Sequence, residues 1–182
     1  MQRSVALLPA LFFAVQALYH WSMGAAANAL WMCNISNLLM ALAIVARTRL
    51  LMRTAALWLL AGLPLWVIDL WQFRELSFST FLGHLGGGAI ALLTLHRVGM
   101  GRGVWLAALD WYLLVQQACR HWTRPELNVN LAHSSRGLGS LNIPNYHWYW
   151  LATTFLAATL LIALEKLCIY YGRVGEKRQG RD

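Results

Sequence analysis

The sequence predicts an all-α fold, a polytopic helical membrane protein of about six transmembrane helices with both termini on the cytoplasmic side. Three observations carry this: long apolar runs, few charges, and an uneven placement of the charges that exist. Hydrophobic residues make up 59% of the 182 and charged residues 12%, against roughly 25% charged in a soluble domain. A hydrocarbon core takes about 20 apolar residues per helix, and runs of that kind lie near residues 4–20, 25–46, 54–72, 79–96, 104–120 and 148–171.

The first run is short and carries Pro9. Arg3 ahead of it and the small residues from Gly24 to Ala27 also suit a signal peptide. Its length and the aromatic end Tyr19-His20-Trp21, which suits a membrane interface, favour a retained helix. The fourth run contains Gly86-Gly87-Gly88, small residues that let membrane helices approach closely. No strand precedes them, so a phosphate-binding loop is excluded. Between the last two runs lies a polar outer loop, residues 121–147, rich in Asn, Ser, Gly and His. A loop this long is usually functional or disordered, and its prolines and the aromatic end Tyr146 to Trp150 predict an ordered cap. Residues 1–171 thus form one transmembrane domain, and 172–182 a charged cytoplasmic tail.

Reading alternate connections, one side carries Arg3, Arg47, Arg49, Arg53, Arg97, Arg102, Lys166, Arg173, Lys177, Arg178 and Arg181, eleven of the fifteen Lys and Arg. The other side carries Arg74, Arg120, Arg124 and Arg136. The positive-inside rule puts the richer side in the cytoplasm, and an even number of spans agrees. The net charge of +8 then faces anionic lipid. No soluble domain is left to bind nucleic acid. No organelle signal stands out, which fits a bacterial inner membrane.

The polar residues within the runs point to a site. Cys33 lies about eight residues into the second run, roughly 12 Å deep at about 1.5 Å per residue, and His84 about five into the fourth, roughly 8 Å. Both runs enter from the outer side, so the two side chains can meet if these helices are neighbours. Asn34, Ser36, Asn37, Asp69, Gln116, Gln117, His20, His121, Asn128, Asn130, His133 and His147 gather at the same level, whereas the inner half offers mainly Asp110. Polar groups in a membrane are costly and mark functional sites by default. A thiol and an imidazole make a nucleophile and its base, with Cys33 and His84 the catalytic candidates. Asn34, Asn37, Asp69, Asn128, Asn130 and His133 are the substrate-binding candidates, amides among them being able to hold an oxyanion. The opposing interpretation is that Cys33 is an apolar filler, as Cys119 and Cys168 look to be, and that His84 bonds a carbonyl. The three cysteines support neither a disulfide framework nor a zinc site. No cofactor and no metal are expected: the histidines form no tight ligand pair. Asn34-Ile35-Ser36 is a glycosylation sequon set inside a span.

In order, Trp31-Met32-Cys33-Asn34, Gly83-His84, Leu127-Asn128-Val129-Asn130 and Trp148-Tyr149-Trp150 resemble the pattern of a six-helix integral-membrane acyl-handling superfamily. That superfamily includes the bacterial YwaF-type proteins, the human ether-phospholipid arachidonoyl transferase and the membrane threonine hydrolases of fatty-acid esters. The resemblance covers about residues 25–171. It implies Cys33 as nucleophile and His84 as base. Trp31 stands where YwaF-type members carry a histidine two residues before the cysteine, a departure from the pattern. The expected function is a lipid acyltransferase or acyl hydrolase working near the outer leaflet through an acyl-thioester, with membrane phospholipids or other acyl lipids as partners. The alternative is a non-catalytic transport or binding protein with an outer polar vestibule, Asp69 or Asp110 acting as a coupling group. Metal or haem binding by the histidines and a purely structural subunit are the remaining readings.

Overall fold

In a computed structural model the chain is all-α. It is described over residues 3–73, 77–134, 143 and 145–179, without the side chains of 69, 72, 73 and 173–179. The described residues form six helices: α1 (Arg3–Ser22), α2 (Met32–Ala46), α3 (Arg49–Phe73), α4 (Phe78–Val98), α5 (Val104–Trp122) and α6 (Tyr146–Gln179). Arg74 and Arg136, two of the four charges assigned above to the outer side, lie outside the described residues. α1, α3, α4 and the Tyr146–Gly172 part of α6 are long and apolar enough to cross a membrane.

Short connections between α1 and α5 force neighbouring helices to run in opposite directions. The end holding Trp21, Trp71, Phe78, Trp122 and Trp148 is therefore shared by all helices but α2's aromatic-free tip, and each of these side chains is two-thirds or more exposed. Arg47, Arg49, Arg53, Arg97 and Arg102 mark the opposite end. Between the two, Leu7, Leu18, Leu92, Leu114 and Phe155 stand more than half exposed, an apolar surface that a water-soluble monomer rarely presents on this scale.

The bundle is locked by polar pins as well as by apolar packing. One core gathers α1, α2, α3 and α4 around Met40, Ile44 and Leu59; a second gathers α3, α5, α6 and the loop around Leu57, Val129 and Leu161. The Trp58 indole N–H donates to the Ala108 carbonyl at 2.8 Å and the ring stacks on Tyr112, tying α3 to α5. At the basic end Arg53 donates to the carbonyls of Val98 and Gly99, each at 2.8 Å, a cation on the negative end of α4. Glu165 of α6 accepts from the Gly103 and Trp105 amides at 3.0 and 2.9 Å, a carboxylate on the positive end of α5.

Two differences from the sequence reading concern single runs. The α5 run holds Asp110, Gln116, Gln117 and Arg120 and is not among the strongly apolar helices. The second run is not one helix: Ala26–Leu30 form a 3-10 turn, Trp31 is extended at φ −54° and ψ 139°, and α2 starts at Met32. Asparagines make this break. In an unbroken helix the Met32 amide would bond the Asn28 carbonyl and the Asn34 amide the Leu30 carbonyl. Instead Asn130 of the outer loop accepts from Met32 N and donates to Leu30 O, both at 2.8 Å. The Asn34 side chain and the Trp31 amide take the Asn28 carbonyl at 3.1 and 3.2 Å.

Candidate functional site

The break decides where Cys33 sits. It stands in the first turn of α2. Its Sγ lies 3.8 Å from Asn34 Oδ1, and Asn34 is held in turn by its bond to Asn28. Asn37, one turn further along and fully buried, donates through one Nδ2 to the Cys33 carbonyl at 3.0 Å and to the Gly83 carbonyl at 3.1 Å. A single amide thus fixes the turn that carries Cys33 against α4.

His84 lies within a π turn, Leu82–Gly86, inside α4. Such one-turn widenings recur at functional sites. The ring is 9% exposed and stacks on Trp66 of α3 with centroids 5.1 Å apart and planes 9° apart. Its Nδ1 is 2.8 Å from the Thr80 carbonyl. A carbonyl only accepts, so Nδ1 carries the proton of the neutral ring and Nε2 is the basic nitrogen.

Gly62 of α3 shows how the two side chains face one another. A Cβ placed on it would lie 3.2 Å from Cys33 Cβ and 3.7 Å from His84 Cδ2, the ring carbon bonded to Nε2. The thiol-bearing carbon and the basic edge of the imidazole therefore border the same narrow gap, no farther apart than those two lengths end to end. The matched depth read from sequence is realised here by three helices: α2 brings Cys33, α4 brings His84, and the bare Gly62 of α3 lets them approach.

The glycine-rich stretch of α4 works in the same way. A Cβ on Gly83 would meet Gln16 Nε2 of α1 at 3.1 Å, one on Gly86 the Phe12 ring at 2.7 Å, one on Gly87 Asn37 Oδ1 at 2.8 Å, and one on Gly88 Leu63 at 2.9 Å. Each glycine receives a side chain from a different neighbour, which is what draws α4 close to α1, α2 and α3.

The remaining substrate-binding candidates fall elsewhere. Asn130, 3% exposed, spends both ends of its amide on the α2 break and also reaches Cys119 Sγ at 3.3 Å. Asn128 holds the loop to itself: its Oδ1 accepts from the amides of His133 and Ser134, and its Nδ2 donates to the Ser134 carbonyl. His133 Nε2 pairs with Thr123 Oγ1 at 3.3 Å. Around them Tyr149 donates to the Leu131 carbonyl, and Arg120 donates to Ala132 O and lies 3.3 Å over the Tyr146 ring. These contacts order residues 121–134 of the loop; residues 135–142 and 144 lie outside the described residues. Asp69 lies in α3, and its side chain falls outside the described ones. Gln16, Gly62, Trp66 and Thr80 are the site residues that sequence reading passed over. Trp66 and Thr80 lie at the right level in their runs, but only three-dimensional placement distinguishes them from packing residues.

Asn130 carries a direct prediction. Asn130→Ala leaves the Met32 amide and the Leu30 carbonyl without their partner at a buried position, a loss of about 1–3 kcal/mol. Thermal unfolding of the purified protein should fall accordingly, and protease should cut residues 121–147 faster. An unchanged unfolding temperature would show that the cap does not need this tie.

Together these features define a six-helix bundle in which a half-buried Cys33 and a buried His84 face one another near its aromatic end. Among known proteins, no family model, no curated sequence and no solved structure matches the chain.

Proposed function

We propose that the protein is an integral-membrane lipid acyltransferase or acyl hydrolase that works through a thioester on Cys33. The observation that carries this reading is the shared gap at Gly62, with Cys33 on one side and the basic edge of His84 on the other. Position in the first turn of α2 adds to it, because the peptide dipole there favours an oxyanion on the attacked carbonyl. The membrane setting draws on the four long apolar helices and the exposed aromatic end. The charge asymmetry supports cytoplasmic termini, and the bacterial inner membrane is the setting assumed.

The reaction proceeds in two balanced steps. His84 Nε2 takes the thiol proton and Cys33 Sγ attacks the ester carbon of an acyl lipid. The C–S bond forms, the C–O bond breaks, and the leaving alkoxide takes the proton from His84. An acceptor hydroxyl or water then gives its proton to His84 and attacks the thioester. The C–S bond breaks and the thiol is restored. Acyl chains reach the pair sideways between helices, through the apolar surface.

The alternative, a binding or transport protein with a polar vestibule, draws on four acceptors on α1, α2 and the turn before α2: Gln16 Oε1, Asn28 Oδ1, Ser36 Oγ and Asn37 Oδ1 are buried and have no hydrogen-bond partner among the described residues. Such atoms suit a donor-bearing ligand.

The deciding experiment is intact-protein mass spectrometry of wild type and Cys33→Ser after incubation with a mixed phospholipid extract. An acyl-sized mass gain that hydroxylamine removes and Cys33→Ser lacks is the expected result. Wild type that stays unmodified while hydrolysing or transferring acyl chains, or that shows no turnover of any lipid, overturns the thioester and leaves the vestibule.

A further inference from the structure

The opposite end of the bundle holds a second feature that the Cys–His chemistry does not use. A cavity of about 350 Å³ opens between the start of α5 and the last membrane-level turns of α6, lined by Arg102, Glu165, Lys166, Ile169 and Tyr170. It is an open groove rather than an enclosed pocket, and Arg102, Lys166 and Tyr170 on its rim are exposed.

The electrostatics of the cavity follow from Glu165. Both of its oxygens are committed to the Gly103 and Trp105 amides, so the acid neutralises the positive end of α5 rather than a side chain. Among the described residues neither Arg102 nor Lys166 has an ion-pair partner. Two cations and the amide-bonded Glu165 therefore border one cavity, a net positive rim, and among the described residues no carboxylate is bound to either cation. Lys166 and Tyr170 stand one turn apart on α6 and share a face. The α6 wall they form with Ile169 passes directly into the exposed apolar side chains of Leu167, Leu156 and Phe155. A site with a cationic floor and an apolar wall running into a helix's outer surface matches a diacyl phospholipid: phosphate on the cations, glycerol against Tyr170, chains along α6. Basic pockets between membrane helices on the positively charged side recognise anionic headgroups in this way.

The geometry points to a binding site for an anionic phospholipid headgroup between α5 and α6, held by Arg102 and Lys166. The site is distinct from the Cys–His pair and lies at the other end of the helices. It takes the phosphodiester as a structural or regulatory ligand and performs no chemistry on it.

The test uses the full chain in a neutral detergent with added phosphatidylglycerol, phosphatidylcholine, or inorganic phosphate, read by native mass spectrometry and by thermal unfolding. Wild type should retain phosphatidylglycerol in preference to phosphatidylcholine and unfold at a higher temperature with it. Arg102→Gln combined with Lys166→Gln should weaken that retention by about tenfold or more, each cation near a headgroup contributing appreciably. Arg47→Gln combined with Arg49→Gln, the same charge change at the same end but outside the cavity, should leave it unchanged. Equal loss in the two double variants would overturn the site in favour of diffuse attraction to the basic end. Equal retention of both lipids overturns the anionic preference. Displacement by inorganic phosphate at matched concentration overturns the lipid assignment, since a free phosphate would then suffice. Because the readouts are lipid retention and unfolding, the outcome is independent of whether Cys33 forms a thioester.

Discussion

His84→Gln is expected to slow both acylation and deacylation of Cys33 by about 10²–10⁴-fold, the usual contribution of a positioned acid–base group. Glutamine fills similar space but cannot take a proton. Cys33→Ala should do more, because in the proposed reaction it removes the atom that would carry the acyl group and with it every covalent step. The two variants separate in a second measurement. Alkylation of Cys33 by iodoacetamide reads the thiolate directly, so His84→Gln should shift its pH profile, whereas Trp66→Phe, which keeps an aromatic face under the ring, should shift it little. The tautomer argument adds a constraint. Nδ1 donates to the Thr80 carbonyl, and Thr80 is itself held by a reciprocal pair of bonds with Ser77 at the start of α4. The ring is thereby aimed in part by the backbone of its own helix. If His84→Gln retains full acyl transfer and an unaltered alkylation profile, the imidazole is a packing residue and the dyad falls.

The second large effect is on stability. Gly87→Ala places a Cβ 2.8 Å from Asn37 Oδ1 and 2.9 Å from Leu59 Cδ2, closer than real contacts allow. Overpacking of this kind costs about 1–3 kcal/mol. Asn37 cannot yield freely, since its other amide atom joins the Cys33 and Gly83 carbonyls. The cost should therefore appear in two readouts together: a lowered unfolding temperature and a loss of acyl transfer as the α2 turn is pushed away from α4. Gly172→Ala is the matching control. Nothing lies within 4 Å of its added Cβ, and alanine is the better helix former by about 1 kcal/mol. Thermal unfolding of the two variants in one detergent checks the pair. Equal stability of both would mean that α4 does not need its bare backbone against α2.

Much of this arrangement is legible in the chain because its causes are local. Apolar run length places all six helices; α2 starts well inside its run and α6 extends well beyond its own, and the other bounds agree within about five residues. Charge counting sorts the helix ends. Counting residues along the runs brings Cys33 and His84 to one end of the bundle, but the depth of Cys33 does not follow from it, because the run is broken before Met32. What is not legible is made by residues distant in sequence. α2 starts at Met32 because Asn130, 98 positions away, takes the amide that would otherwise continue the helix. The spacing of Asn28, Asn34 and Asn130 carries no periodic signal that predicts this. Asn130 reads from sequence as a ligand of the acyl group, whereas its amide is spent on backbone. Gly62 looks like one more small residue in an apolar run; only its position opposite both Cys33 and His84 gives it meaning. The π turn at Leu82–Gly86 likewise has no sequence signature, since it is a property of how α4 packs.

The 15 residues of α2 rise about 22 Å, short of the roughly 30 Å of hydrocarbon in a typical bilayer. α3 beside it, with 25 residues, is long enough to cross. If α2 is anchored at its basic end, the shortfall falls at the Cys33 end, and the nucleophile lies in a recess below the neighbouring helix tips. Under the proposed reading, bilayer thickness then becomes a control on rate. Lipids with shorter chains bring their ester plane down to the recess, whereas longer chains hold the ester above it. The same enzyme would work at different speeds in thin and thick membranes without any change in its own structure.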